Sequence, residues 1–443
     1  MKRTTGLLLL AALGVLCNQA VSAAVSKPSF LLILADDLGY GDVGLHGCKD
    51  IPTPNIDSIA RNGVRFTDGY VSAPVCAPSR AGLMTGRYQD RFGFQGNPAR
   101  GADWGLPRTE KTFADRMKAG GYATACLGKW HLGETEALHP LNRGFDEFFG
   151  FLSGMHSYFE ADDKAWGPLL RGRERAPLKG YLTDALGDEA CDFIRRKSGS
   201  PWFLYLAFNG VHTPMHATPE KLKQFAGIAE EKRRTYAGMV SSLDDAVGRV
   251  LEALRTSGQE ERTLVFLLSD NGGPLIAGSA ANGAVNAPLR GSKLQLWEGG
   301  IRVPFMAQWK GRFPAGRVVH QPVISLDLLP TGLAAAGIPI SAEWKLDGRN
   351  LLPLLTGASE APVHDRLTWR FYGRPAIREG AWKWVRQSPK EQGLFNLTED
   401  TGEQRDRNTE KPEMQQALQQ QWQAWADKLP PPIHQDKGGT KAH

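Results

Sequence analysis

The stretch Ser29-Phe30-Leu31-Leu32-Ile33-Leu34-Ala35-Asp36-Asp37 decides how the rest of the chain is read. An unbroken apolar run this short, halted by two carboxylates, fits a strand covered on both faces. Three later stretches repeat the form. Residues 122–127 run into Gly128-Lys129-Trp130-His131, residues 202–208 into Asn209-Gly210-Val211-His212, and residues 264–269 into Asp270-Asn271. Helical patterns lie between or beside them at 55–62, 112–119, 181–197 and 232–256. Alternation of this kind predicts an α/β fold with a large, mostly parallel sheet flanked by helices. Open α/β sheets bind ligands beyond the carboxyl ends of their strands. If the four strands are parallel, their polar ends meet on one rim and bring together two aspartates, an Asp-Asn pair, two histidines and a lysine. That combination predicts a metal-bearing active site.

The chain has 443 residues, enough for a large domain and a smaller second one. Residues 1–24 have the form of an export signal: Lys2 and Arg3, a short apolar run over 7–16, and small residues Val21, Ser22 and Ala23 before the cut. Leu16 directly before Cys17 argues against lipid attachment there. The expected location is therefore secreted or periplasmic. No later stretch is long and apolar enough to span a membrane. After signal removal, 51 basic side chains face 47 acidic ones, a mild excess with no concentrated basic block, so no nucleic-acid partner is expected. Cys48, Cys126 and Cys191 allow at most one disulfide besides the special case of Cys76.

A catalytic domain is expected over 25–360. The proline- and glycine-containing stretch 339–362 marks its end. Short strands at 367–372, 375–379, 382–387 and 394–397, then a helix at 410–428, predict a small C-terminal α+β subdomain over 361–429. Residues 430–443 are expected to be a loose tail.

The sharpest motif is Cys76-Ala77-Pro78-Ser79-Arg80, continued by Ala81-Gly82-Leu83-Met84-Thr85-Gly86-Arg87. With Gly128-Lys129-Trp130-His131-Leu132-Gly133, Thr53-Pro54-Asn55-Ile56-Asp57, Gly144-Phe145-Asp146 and Gly299-Gly300-Ile301-Arg302-Val303-Pro304, it resembles the sulfatase family of the alkaline phosphatase superfamily, and bacterial polysaccharide and glycosaminoglycan sulfatases in particular. The likeness runs from Ser29 to about Glu403. At the closing strand, Leu394-Phe395-Asn396-Leu397 has Asn where Asp is commoner.

The resemblance implies an alkaline phosphatase-like fold and a sulfuric ester hydrolase. It implies that a maturation enzyme converts Cys76 to formylglycine, whose hydrate carries one hydroxyl to attack sulfur and another to expel sulfate. It implies one Ca²⁺ held by Asp36, Asp37, Asp270, Asn271 and the modified Cys76, in keeping with the oxygen ligands a hard cation takes. Arg80 is implied to steady the diol and the metal ligands, and Lys129, His212 and Lys293 to bind sulfate oxygens. His131 would take a proton during sulfate release, and His212 or Lys293 would protonate the departing alcohol. The expected substrate is a sulfated carbohydrate. Selectivity is expected in two loops: 154–160, with His156 and Tyr158, and 273–290, with Asn282, Asn286 and Arg290. Two alternatives use the same sheet. A phosphoesterase of the superfamily would carry Ser or Thr as nucleophile and often two zinc ions. A secreted carbohydrate-binding pseudoenzyme would lack catalytic residues, and none of those expected is missing.

Overall fold

The computed structural model describes residues 27–275 and 281–434. The expected export signal with Cys17, the loop positions 276–280 and the tail positions 435–443 lie outside the described residues.

Among the described residues ten strands form one sheet: β1 Ser29–Ala35, β2 Val64–Phe66, β3 Ala123–Lys129, β4 Glu147–Phe151, β5 Leu170–Arg171, β6 Glu174–Arg175, β7 Trp202–Ala207, β8 Thr263–Ser269, β9 Phe305–Gln308 and β10 Arg317–Val319. Their order is β10-β2-β9-β8-β1-β7-β3-β4-β5-β6. The central five, β8, β1, β7, β3 and β4, are parallel. The antiparallel pairs lie towards the edges, where β9 meets β8 and β2, and β5 meets β4 and β6. All four strands expected from apolar runs are in the parallel centre. The edge strands are short and half covered, so no comparable run announces them.

The unbroken apolar runs have a direct cause. Side chains alternate between faces along a strand, and both faces of this sheet are covered. Leu31, Ile33, Leu204, Leu206, Val265 and Leu267 pack on one side with α1 (Pro54–Arg61), α4 (Leu182–Arg196) and α5 (Glu231–Thr256). Phe30, Leu32, Leu34, Phe203, Tyr205 and Phe266 pack on the other with α2 (Cys76–Thr85), α3 (Phe113–Ala119) and α6 (Leu328–Ala335). Four helices begin and end within two residues of expectation. The start of α3 shows why: Thr112 accepts from the Asp115 amide while Asp115 accepts from the Thr112 amide, a reciprocal cap written in the sequence. Helices α2 and α6 were not expected, because each is buried nearly all round and carries no amphipathic period.

The C-terminal part is a four-stranded antiparallel sheet, β11 Arg366–Phe371, β12 Arg374–Glu379, β13 Trp382–Arg386 and β14 Gln392–Asn396, followed by α7 (Pro412–Ala426). It shares a core with the catalytic part: Leu367, Trp369 and Phe371 pack with Tyr70, Val75, Cys76 and Trp297. Below that core the Lys383 ammonium is fully buried between Glu298, at 2.8 Å, and Glu403, at 2.9 Å. The phenol of Tyr70 donates to Glu298 at 2.6 Å, and Arg302 bridges Glu298 to Asp68. The tail does not begin as loosely as expected. The Ile433 amide donates to Gly93 O at 3.0 Å, and His434 stacks on Trp104. Cys48, Cys76, Cys126 and Cys191 are all unpaired, and no helix among the described residues is long and apolar enough to cross a membrane.

Lys383→Met keeps the side chain's bulk and removes the cation that two buried carboxylates share. Loss of one partner in such a site costs about 3–5 kcal/mol. Chemical denaturation should show a loss of that size; a loss below about 1 kcal/mol would show that the Glu298–Lys383–Glu403 node is dispensable.

Candidate active site

Strands β8, β1, β7 and β3 are immediate neighbours, and their register is level: Ala35 pairs with Ser269, Leu34 with Ala207, and Ala207 with Gly128. Whatever follows each strand therefore arrives on one rim. Asp36 and Asp37 follow β1, Asp270 and Asn271 follow β8, Lys129 ends β3 and His131 lies two residues on, and His212 lies in the turn after β7. All are buried.

Helix α2 brings the remaining chemistry. Cys76 is its first residue and Arg80 lies one turn later, on the same face. Pro78 is tolerated because the amide it lacks is in the unpaired first turn. The Arg80 guanidinium grips Asp270 through Nε at 2.9 Å and Nη2 at 2.8 Å, and donates to Lys129 O at 3.1 Å. Ligand atoms of Cys76, Asp36 and His212 lie within 4.8 Å of one another, as do those of Asp36, Asp37 and Asp270.

The charges pair closely. Lys129 Nζ donates to Asp36 Oδ2 at 2.5 Å. Lys293 Nζ lies 2.8 and 2.9 Å from the two oxygens of Asp37. Asn271 donates to Asp37 Oδ1 at 2.6 Å. Burial opposes ionisation of Asp36 and Asp37, but Lys129 and Lys293 outweigh it and hold both below the usual carboxylate range. Burial likewise works against the Lys293 ammonium, and Asp37 overcomes it, keeping Lys293 protonated. The histidines go the other way. Burial, joined by Lys129 and Arg80, pushes His131 well below its ordinary value. Burial also lowers His212. Both rings are neutral near pH 7. His212 Nδ1 lies 2.7 Å from Thr213 O, so the neutral ring carries its proton there and leaves Nε2 bare, 3.6 Å from Asp37.

Burial and the neighbouring Asp36 push Asp270 above the usual carboxylate range, and Arg80 pulls it back. With Asp270 ionised in its two-point grip on Arg80, three carboxylates face three cations and the cluster is neutral. Two oxygens in it, Asp36 Oδ1 and Asn271 Oδ1, are buried with no hydrogen-bond partner among the described residues. Buried oxygens of this kind call for a cation or a donor. A donor set made only of carboxylate and amide oxygens suits a hard divalent ion. Adding such an ion would give the site a net charge of +2, complementary to an anionic ester.

A scan against family models matches Sulfatase over residues 28–338. The chain belongs to the sulfatase family. A second family model, N-sulphoglucosamine sulphohydrolase, C-terminal, matches residues 292–428. This sulfatase is 37% identical over 361 residues to the N-acetylgalactosamine-6-sulfatase of Homo sapiens, covering 76% of the chain and 67% of that protein. The solved structure of Ps i-CgsB in complex with k-i-k-neocarrahexaose superposes with TM-score 0.87 at 38% identity, covering 92% of this chain and 94% of the other. The PsFucS1 sulfatase from Pseudoalteromonas sp. superposes with TM-score 0.80 at 26% identity, covering 93% and 92%. The protein is thus a sulfuric ester hydrolase.

Ten of the twelve site residues expected from the sequence meet in this cluster. His156 and Arg290, expected to bind substrate, do not. His156 is fully enclosed, its ring tilted against Phe151 at 4.9 Å and its Nδ1 2.8 Å from Ser157 O. Arg290 lies over the Trp297 ring and donates to Glu403 O at 3.0 Å. Both hold loops in place. Tyr158, Asn282 and Asn286 are likewise buried in backbone contacts; Tyr158 Oη lies 2.6 Å from Asn209 O and 2.8 Å from His212 O. Two residues escaped the sequence reading. Tyr205 reaches Arg80 from the middle of β7, and Asn97 reaches Cys76 from a loop. Neither belongs to a motif with fixed spacing.

Gly154 packs so closely that a methyl group there would lie 2.5 Å from His131 Nε2. Gly154→Ala should displace the imidazole and lower kcat on an aryl sulfate by about 10- to 100-fold, with little change in Tm. An unchanged kcat would show that the ring's position is not critical.

Proposed function

We propose that this sulfatase removes sulfate from a sulfated saccharide, using formylglycine formed at Cys76 and a Ca²⁺ ion held by Asp36, Asp37, Asp270 and Asn271. The observation that carries this reading is the buried set of three carboxylates and three cations around Cys76, with one carboxylate and one amide oxygen left unpartnered among the described residues. The modified side chain, as its hydrate, supplies a nucleophilic hydroxyl and a second one for sulfate release, and the cation supplies charge stabilisation at the ester oxygens. Formation of the aldehyde replaces the sulfur and two hydrogens of Cys76 by one oxygen, an oxidation for which the maturation enzyme must bring an external oxidant such as dioxygen, and it must act before the chain closes over the buried side chain. Export from the cytoplasm, directed by residues 1–24, follows in the same scheme. A sulfated galactan or glycosaminoglycan is the favoured substrate class, because N-acetylgalactosamine-6-sulfatase and a carrageenan-oligosaccharide complex are both among the similar proteins.

The residues then divide the work. Arg80, locked on Asp270, fixes the face of α2 that presents position 76. Lys129 and Lys293 would be released to neutralise sulfate oxygens where a cation takes over their carboxylate partners Asp36 and Asp37. His131 is neutral, and its buried Nδ1 has no partner among the described residues; it is available to accept the proton lost during sulfate release. His212 in its neutral form has no proton on Nε2, whereas Lys293 is already charged. Lys293 is therefore the better placed acid for the departing alcohol, with His212 orienting the same oxygen.

Mass spectrometry of the tryptic peptide containing Cys76 should show the loss of sulfur and two hydrogens and the gain of oxygen in active protein. Full turnover with an intact thiol would end this mechanism. Elemental analysis should give about one Ca²⁺ per chain, and chelation should abolish activity. Two tightly held zinc ions would point to the phosphoesterase alternative instead. Lys293→Ala should reduce hydrolysis of an alkyl sugar sulfate about 10- to 100-fold more than that of an aryl sulfate, whose phenolate leaves without a proton. His131→Ala should give one rapid turnover and then stall. A slowed first turnover would reassign His131.

A further inference from the structure

Two side chains at the rim have a placement that sulfate chemistry leaves unused. Asn97 is exposed, yet its Oδ1 accepts from the Ala77 amide at 3.1 Å and its Nδ2 lies 3.9 Å from Cys76 Sγ. It therefore stands between solvent and the nucleophile's position. Its neighbour Gly96 sits against the C-terminal sheet: a Cβ at Gly96 would lie 2.8 Å from the phenol oxygen of Tyr372. Tyr372 is the first of two residues linking β11 to β12, and its side chain is 53% exposed. Both linking residues have positive φ, 47° at Tyr372 and 77° at Gly373. Tight hairpins of this kind favour Asn, Asp or Gly at such positions, and a bulky aromatic there is strained. Strain of this sort is retained where it serves a site.

The loop carrying Asn97 is also fixed in place. Arg370, on β11, pairs with Asp90 at 3.0 Å before the loop. Ile433 holds Gly93, and His434 stacks on Trp104 after it. The C-terminal part thus braces the loop on two sides and holds an exposed aromatic ring beside it.

We propose that Asn97 and Tyr372 form a saccharide subsite next to the sulfate pocket. Asn97 hydrogen-bonds a hydroxyl of the sulfated sugar, and the Tyr372 ring stacks on the sugar linked to it. The chemistry fits: a pyranose offers an apolar face to an aromatic ring and hydroxyls to an amide. The subsite rests on the saccharide reading given above. It makes the C-terminal part a determinant of chain-length preference and not only a structural support.

Tyr372→Asn tests this cleanly, because Asn accepts the positive φ and the variant should fold at least as stably as wild type. The probes are a sulfated neocarrahexaose and 4-nitrophenyl sulfate, which has no flanking ring. The preference for the hexasaccharide, as a ratio of kcat/KM values, should fall about tenfold in Tyr372→Asn, through KM, with Tm equal or higher. Asn97→Ala should lower kcat/KM on the hexasaccharide by about the same factor. A preference within about twofold of wild type in Tyr372→Asn would overturn the subsite. A wild type that hydrolyses the aryl ester but not the hexasaccharide would overturn the saccharide reading on which the subsite rests.

Discussion

Six buried charges must balance at the carboxyl edge of this sheet. Asp36, Asp37 and Asp270 face Lys129, Lys293 and Arg80 at ion-pair distance, all fully or nearly buried. Any one of them alone in that setting would cost several kcal/mol. The balance dictates much of the rest. Four parallel strands must end level so that the charges meet. The helix bearing Cys76 must be buried on all sides so that Arg80 can reach Asp270. The two histidines must stay uncharged so that the sum holds.

That balance also makes the site responsive to an anion. Each lysine is bound to a single carboxylate, while Arg80 is bound through two nitrogens and a backbone carbonyl. A point charge on a flexible stem can change partners; a planar fork held at several points cannot. Lys129 and Lys293 are thus suited to move between carboxylate and ester, and Arg80 is suited to stay.

The sequence made the parallel centre legible because strands covered on both faces cannot avoid long apolar runs, and their polar ends show where each stops. It made the ten residues of the buried cluster legible because they sit at those ends, in the helix start of the Cys76 motif, or in the segment before Glu298-Gly299-Gly300. What the sequence leaves open has a common cause. His156 and Arg290 lie outside the cluster, and nothing in a linear pattern tells whether a loop turns such a side chain toward the cleft or into its own support. The antiparallel edge strands and the buried helices α2 and α6 failed to show for lack of a period. Tyr372 reaches the loop of Asn97, at Gly96, only through the docking of the C-terminal sheet, between positions far apart in the chain.

The shared core around Trp369 and the Glu298–Lys383–Glu403 node bears on how such proteins can be inherited. A gene segment for residues 361–429 alone would encode a sheet with Leu367, Trp369 and Phe371 uncovered and Lys383 missing one of its two counter-ions. It could not be exchanged between unrelated genes as a ready-made cassette. An exchange of this segment alone would leave each half of the interface without its partner, and a change at Glu298 or Lys383 alone would leave a buried charge uncompensated.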